Sequence, residues 1–282
     1  MSLPRPPGAS TPVRALTVRP GHHLERPDAV ATEEPLEIRA MGPGQAAAAV
    51  AVTMRTPGHD FELAVGYLLT EGLVTPDEVA AVGYCADVDP ELRWNTVSVS
   101  LRREWHGPPP RAGAMGAACG VCGKASIDEV AVACPVVPVV GTVTADVLAG
   151  LPDRLREHQR VFARTGGLHA AGAFGPTGDA EVVREDIGRH NAVDKVVGHA
   201  VLAAGHGRPL TRPGERLLAV SGRVSFEIVQ KAAMGGFGTI AAVSAPSSLA
   251  VQAATRFGIT LAGFVRGGSF NVYSWPERVA LP

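Results

Sequence analysis

The chain has 282 residues, 46 % of them hydrophobic but only 5 % aromatic, and 26 basic against 27 acidic side chains leave a net charge of −1. That length is enough for a large core and for two domains, while a near-neutral balance without a lysine-rich run argues against nucleic acid as a partner. No apolar stretch approaches the ~20 residues of a membrane span, so no membrane association is expected.

The first segment, MSLPRPPGASTPVR, lacks the apolar region of a signal peptide, and residues 1–15 read as a flexible tail. Pro35–Met41 and Ala47–Arg55 predict two strands joined by a Gly-Pro-Gly turn. In Asp60–Gly72, Phe61, Leu63, Ala64, Tyr67 and Leu68 fall at helical spacing and Gly72 is a stop. With further strands expected at Gly83–Asp87 and Thr96–Leu101, residues 16–105 read as a small α+β roll.

Residues 106–126 follow as a proline-rich hinge (Trp105–Gly113, WHGPPPRAG) and a loop, Gly113–Ser126, with the sequence GAMGAACGVCGKAS. The remainder, residues 127–282, reads as an α/β domain. It opens with a charged helix over Arg154–Thr165, a hairpin of Leu168–Phe174 with Glu181–Arg184, and a helix over His190–Ala204. Apolar strands at Leu217–Val220, Thr239–Val243 and Thr260–Phe264 then alternate with helices at Phe226–Met234 and Leu249–Phe257, before a last strand at Phe270–Tyr273. Such alternation predicts parallel βαβ units.

Two of the four cysteines, Cys119 and Cys122, lie in the CGVC tetrad among glycines and alanines. Small neighbours leave a thiol unshielded, and Lys124 is the kind of neighbour that lowers its pKa. Half a zinc site and a structural disulfide are the competing readings. A zinc site needs a second CxxC or a spaced His pair, and Cys85 and Cys134 are singletons. Four cysteines without a disulfide framework fit a reducing compartment, here the cytoplasm.

The expected parallel strands end in three polar loops: Ser221-Gly222-Arg223, Ser244–Ser248 and Arg266–Ser269. Ligands in open α/β sheets lie beyond such carboxyl ends, helix N-termini hold anions, and arginine forks bind phosphate. Ordinary Ser- and Gly-rich turns are the plain alternative. In Arg184–Lys195, the side chains of Arg189, His190, Asn191, Asp194 and Lys195 exceed what helix capping needs and point to a site, with a solvated charged helix start capped by Asp186 as the plain alternative. His169, after Gly166-Gly167, is a core histidine or a site residue.

These ordered segments together resemble the FdhD/NarQ family of sulfur-carrier proteins required for formate dehydrogenase activity. The resemblance runs from about Glu34 to Arg278 through EPLEIR, TPGHDFELAVGYLLTEGL, CGVCGKASID, TGGLHAAGAF, EDIGRHNAVDKVVG, SGRVSFEIVQKA and FVRGGSFNVYSWPER. It implies a cytidine-deaminase-like α/β domain with a smaller N-terminal α+β roll. It also implies a sulfurtransferase, active as a cytoplasmic homodimer. That protein takes persulfide sulfur from a cysteine desulfurase and passes it to the bis-molybdopterin guanine dinucleotide form of the molybdenum cofactor. The cofactor is then inserted into formate dehydrogenase.

By that resemblance Cys119 carries the persulfide, Cys122 assists, and Phe264, Val265, Arg266, Gly267, Gly268 and Ser269 match the cofactor-binding stretch. The pyrophosphates and guanines of such a cofactor add Arg223, Ser244, Ser247, His190 and Asn191 as contacts, with GDP as a binding fragment. Zinc deaminases place a Glu proton shuttle two residues after a ligating His and supply two more ligands from P-C-x-x-C. Here Ala171 follows His169 at that spacing and the Ser221–Ser225 turn has no cysteine, so neither zinc nor deamination is expected. A thiol-disulfide switch on a nucleotide-binding domain, or a zinc- or nucleotide-dependent binding protein, are the alternative functions.

Overall fold

The computed structural model describes residues 6–107, 134–138, 141–205 and 213–281. The CGVC tetrad and most of the hinge and loop around it lie outside these residues. The polypeptide begins as a two-stranded antiparallel hairpin, β1 (Ser10–Arg19) and β2 (His22–Ala31), with Arg19 opposite His22 at the turn. The tail expected over residues 1–15 is therefore strand from Ser10 onward. Prolines at 12 and 27 weaken the periodic signal, yet a two-stranded ribbon tolerates them because every strand in it is an edge.

A four-stranded sheet follows in the order β4-β3-β6-β5, built from β3 (Glu34–Met41), β4 (Ala48–Arg55), β5 (Val79–Tyr84) and β6 (Thr96–Leu101). Leu36, Ile38 and Ala40 alternate with half-buried or exposed residues and point inward with Val97, Val99 and Leu101, the period-2 pattern of a sheet with one buried face. Helix α1 (Asp60–Thr70) covers that face with Leu63, Ala64 and Leu68. Arg55, fully buried, fixes the start of the helix: Nε and Nη2 each lie 3.1 Å from the two carboxylate oxygens of Asp60.

A short parallel pair joins β7 (Val143–Thr144) to β14 (Val279–Ala280), and the second large sheet has six strands in the order β13-β12-β11-β10-β8-β9. β10 (Arg216–Val220), β11 (Phe237–Ala242) and β12 (Thr260–Arg266) are parallel, as expected from the alternation of strands and helices. Antiparallel neighbours flank them: β8 (His169–Phe174) with β9 (Ala180–Asp186) on one side and β13 (Ser269–Ser274) on the other. Helices α4 (Arg189–Gly205), α5 (Phe226–Met234) and α6 (Ser248–Phe257) cover one face. Helix α2 (Ala145–Glu157) covers the other with Leu148, Leu151 and Leu155, and a short α3 (Arg160–Thr165) follows it. The single charged helix expected over 154–165 is thus two helices, broken at His158–Gln159.

One hydrophobic cluster runs from Leu36 and Val97 in the first sheet through α1 and α4 to Leu218 and Ile240 in the second. The helix layer is tight where α1 crosses α4. A Cβ on Gly66 would lie 1.8 Å from the Asp194 carbonyl oxygen, and one on Gly198 1.8 Å from that of Glu62. Only glycine at both positions lets the backbones approach this closely.

Candidate functional site

Four strand ends meet at one edge of the six-stranded sheet: the carboxyl ends of β10, β11 and β12, and the start of antiparallel β8. Main-chain bonds weave their loops together. Ser221 N–H donates to the Ala170 carbonyl at 3.0 Å, Ala170 N–H returns to Ser221 Oγ at 2.9 Å, and Phe264 N–H reaches the Ser244 carbonyl at 3.2 Å. Ser247 N–H donates to the Val224 carbonyl at 2.9 Å. The Ser247 hydroxyl accepts from Ala250 N–H at 3.2 Å and so caps α6, the plain role open to a Ser in such a turn.

The Phe264–Ser269 segment is the most unusual part of this edge. Phe264 has φ 55°, a left-handed backbone that a bulky residue rarely takes, and the residue is 37 % exposed. Gly267 and Gly268 follow with φ 56° and 78°, while Val265 between them is fully buried and anchors the strand. The turn therefore presents Phe264, Arg266, Gly267, Gly268 and Ser269 to solvent from a fixed base. Gly263 Cβ positions would lie 2.9 Å from Pro246 and 3.0 Å from Tyr273, so the strand is pressed against the neighbouring loop just before it twists outward.

Between this turn and the α2–α3 elbow lies a groove of about 570 Å³, lined by Arg156, Gln159, Phe162, Gly166, Gly167, His169, Ser221, Val243, Val265, Arg266 and Gly267 among others. His169 lines it with Nδ1 close to Gly222, where a Cβ would come within 3.3 Å. Burial and then the nearby Arg189 lower its pKa, so the imidazole is neutral at pH 7. Ala171, two residues further along β8, is fully buried and pairs in register with Val220 and Arg184 of the neighbouring strands. Among the described residues no three His, Cys, Asp or Glu side chains cluster as a metal site would require.

The expected site residues divide into two groups. Arg223, Ser244, Ser247 and Phe264–Ser269 share the loop edge. His190 lies at the start of α4 against the end of the Ser221–Ser225 turn, with Nε2 3.3 Å from Ser225 Oγ and 3.9 Å from Glu227 Oε2. Burial, then Arg189 and Lys231, push its pKa down to about 4. Asn191 is buried and occupied: its amide nitrogen donates to the Met54 carbonyl at 2.8 Å and to Asp186 Oδ1 at 3.0 Å, and its oxygen accepts from Thr53 Oγ1 at 3.2 Å.

The polar richness of Arg184–Lys195 has a structural explanation. Lys195 Nζ lies 2.6 Å from Asp186 Oδ2 and 2.9 Å from the Thr56 carbonyl. Asp194 Oδ1 accepts from Lys231 Nζ at 2.9 Å and from Thr70 Oγ1 at 2.6 Å. These buried pairs join the second half of the chain to residues 54–70 of the first. Burial works against the Lys231 charge, but Asp194 and Glu71 raise its pKa and keep it protonated.

Cys119 and Cys122 lie outside the described residues. The two described cysteines are half-buried and free. Cys134, where the described chain resumes, packs against the core beside Glu71. Burial, then that carboxylate, push its thiol up to about 11, leaving it protonated and a poor nucleophile at neutral pH. Among the described residues no helix is long and apolar enough to cross a membrane.

Comparison with known proteins settles the lineage of this arrangement. The family model of FdhD/NarQ matches residues 31–280. The chain belongs to the FdhD/NarQ family. Relatives named sulfur carrier protein FdhD include one from Streptomyces coelicolor, 48 % identical over 278 residues and covering 95 % of both chains. Another, from Mycobacterium tuberculosis, is 48 % identical over 267 residues, covering 91 % of this chain and 93 % of the relative. A crystal structure described as a formate dehydrogenase accessory protein, from Desulfotalea psychrophila, superposes with a TM-score of 0.73. It covers 96 % of this chain and all of that one, at 24 % identity, a likeness of mixed α/β fold.

The sequence reading missed the α2–α3 wall of the groove. Arg156, Gln159 and Phe162 sit in a stretch whose charges mimic a solvated helix, and a buried glutamine carries no periodic signal. The Gly166-Gly167 pair before His169 was the one available pointer.

Proposed function

We propose that the protein is a sulfur carrier that accepts sulfur as a persulfide on Cys119 and hands it to the bis-molybdopterin guanine dinucleotide form of the molybdenum cofactor, bound as substrate, for formate dehydrogenase. Membership of a family whose relatives are named sulfur carriers supports the sulfur chemistry. The observation that carries the cofactor reading is the strained, exposed Phe264–Ser269 turn beside a groove of about 570 Å³, within the roughly 300–1,000 Å³ of ligand sites.

In the first step the Cys119 thiolate attacks the outer sulfur of a cysteine desulfurase persulfide. One S–S bond forms at Cys119, one breaks, and the desulfurase leaves as a thiolate. For release, the Cys122 thiolate attacks the inner sulfur of Cys119. A Cys119–Cys122 disulfide forms and the outer sulfur departs as hydrosulfide toward the substrate; a thiol reductant then resets the pair. On the receiving side, Arg223 and Arg266 offer forked donors to pyrophosphate, and Gly267 and Gly268 let a flat ring approach the backbone.

Mass spectrometry after incubation with a cysteine desulfurase and cysteine tests the reading. An adduct of one sulfur atom on Cys119, lost in Cys119→Ala, is expected. Only an internal disulfide would favour a thiol-disulfide switch, and no modification at all would overturn the carrier reading.

A further inference from the structure

Of the five polar side chains singled out between Arg184 and Lys195, four are engaged. Lys195, Asp194 and Asn191 belong to the buried joint, and His190 faces Ser225 and Glu227. Arg189, the first residue of α4, is the exception. It is partly exposed, yet its Nε is buried and has no hydrogen-bond partner among the described residues. A buried donor left unpaired is costly, and native structures keep few that no ion or water answers. The carboxylates of this corner are taken. Asp186 Oδ1 accepts from Gly188 N–H at 2.9 Å and Asn191 Nδ2 at 3.0 Å, and Oδ2 from Lys195 Nζ at 2.6 Å and Thr56 N–H at 3.2 Å. Glu227 is held by the Ser225 hydroxyl and its own backbone N–H. Gly222 brings Arg189 and the groove together: a Cβ there would lie 3.7 Å from Arg189 Cδ and 3.3 Å from His169 Nδ1. After burial, Arg189 is the largest cause of the lowered pKa of both His169 and His190. The rings on either side of the guanidinium are therefore neutral, and each offers an N–H donor. Lys195 and Lys231 are spent on Asp186 and Asp194, while Arg223 and Arg266 stand exposed on the rim.

We propose that Arg189, flanked by His169 and His190, holds a small monovalent anion, and that during sulfur transfer this anion is hydrosulfide. One unanswered positive charge matches a single negative charge better than the multiple charge of a pyrophosphate. Neutral aromatic rings make favourable contacts with polarizable sulfur. Binding forms and breaks no covalent bond: the sulfur released from Cys119 arrives with its electron pair and proton and keeps both while held. The inference rests on the carrier reading for the source of the ion. A halide from solution has the same charge and shape, and the experiment separates the two.

Anaerobic calorimetry of the reduced full chain with sodium hydrosulfide, sodium bromide and GDP tests it, at mildly alkaline pH where sulfide is the monoanion. Hydrosulfide should bind and displace bromide. Arg189→Met should lower its affinity by about ten- to a hundredfold, the scale of a hydrogen bond to a charged group, and leave GDP binding unchanged. Arg189→Lys should restore hydrosulfide binding, because a point charge serves a spherical anion without the guanidinium fork. That rescue also separates loss of the ion from loss of the fold. Bromide that binds but is not displaced by hydrosulfide assigns the site to a solution halide and overturns the sulfur role. Hydrosulfide binding that is absent, or unchanged in Arg189→Met, overturns the inference outright. GDP weakened in Arg189→Met and not rescued by lysine makes Arg189 a forked phosphate ligand, which also overturns it. The sulfur adduct on Cys119 forms before hydrosulfide is released and should persist in both variants. Its absence from the unaltered protein would sink the carrier reading, whereas its presence without hydrosulfide binding would sink only this inference.

Discussion

Phe264 shows how a single residue can mark a site. A left-handed backbone costs a non-glycine residue roughly 1–2 kcal/mol, and such strain persists only where the surroundings impose it, most often at ligand sites. Here Phe264 N–H is tied to the Ser244 carbonyl and Val265 is buried beneath. Phe264→Asn, which tolerates this backbone, should change stability by less than about 1 kcal/mol yet weaken GDP binding if the ring is a contact; thermal melts and calorimetry read the two effects separately. Arg223→Ala and Arg266→Ala should each lower GDP affinity by about ten- to a hundredfold, since a hydrogen bond to a charged group is worth roughly 1.5–3 kcal/mol. GDP binding unchanged in both variants would rule out the loop edge as the phosphate site.

At the scale of elements, the strongly periodic segments were legible. The β3–β4 pair, α1, and the run from β10 to β12 follow from alternating or helical spacing of Leu, Ile, Val and Ala. Their polar loops were legible too, because Ser, Gly and Arg at strand ends have a limited set of uses. Less was visible where the signal is three-dimensional. Lys195, Asp194 and Asn191 looked like site residues because a sequence does not show that their partners are Thr56, Lys231 and Met54, far away in the chain. Gln159 looked like surface for the opposite reason. The β1–β2 hairpin was hidden by its prolines, and α2 by Pro152 within it.

The crossing of α1 and α4 gives an element-scale prediction. A methyl group added at Gly66 or Gly198 meets backbone, which cannot swing aside as a side chain can. Gly66→Ala and Gly198→Ala should each destabilise by about 3 kcal/mol or more, at or beyond the usual range for overpacking, as read from the denaturation midpoint. Gly205→Ala, in the same α4 helix but with open space at its Cβ, should not destabilise.

For the molecule as a whole, titratable groups in the joint between the two sheets set the response to acid. Burial alone would raise the Glu62 pKa, but hydrogen bonds from Arg184 and His199 hold it at about 2. A folded-state pKa below the usual carboxylate value contributes stability above about pH 4.5 that is lost as the pH falls toward 2, on the order of 3 kcal/mol in total. His190 acts in a higher window. With its pKa near 4 in the folded protein, the unfolded chain binds the extra proton between about pH 6.5 and 4, so stability falls as pH drops through that range. His190→Gln should flatten the decline between pH 6.5 and 4 and leave the steeper loss below pH 4.5, a difference that chemical denaturation at a series of pH values resolves.

The glycine crossing also limits how the protein can move. With helix backbones in direct contact, rocking one sheet against the other would force peptide groups into each other, so the two halves have no clearance for a clamshell closure. Any rearrangement around a bound nucleotide then belongs to the rim: the Phe264–Ser269 turn and the side chains of the α2–α3 elbow. The solution scattering profile should accordingly superimpose with and without saturating GDP, while amide exchange slows at that turn. If the proposed reading holds, the cargo would enter a fixed cradle with an adjustable lip.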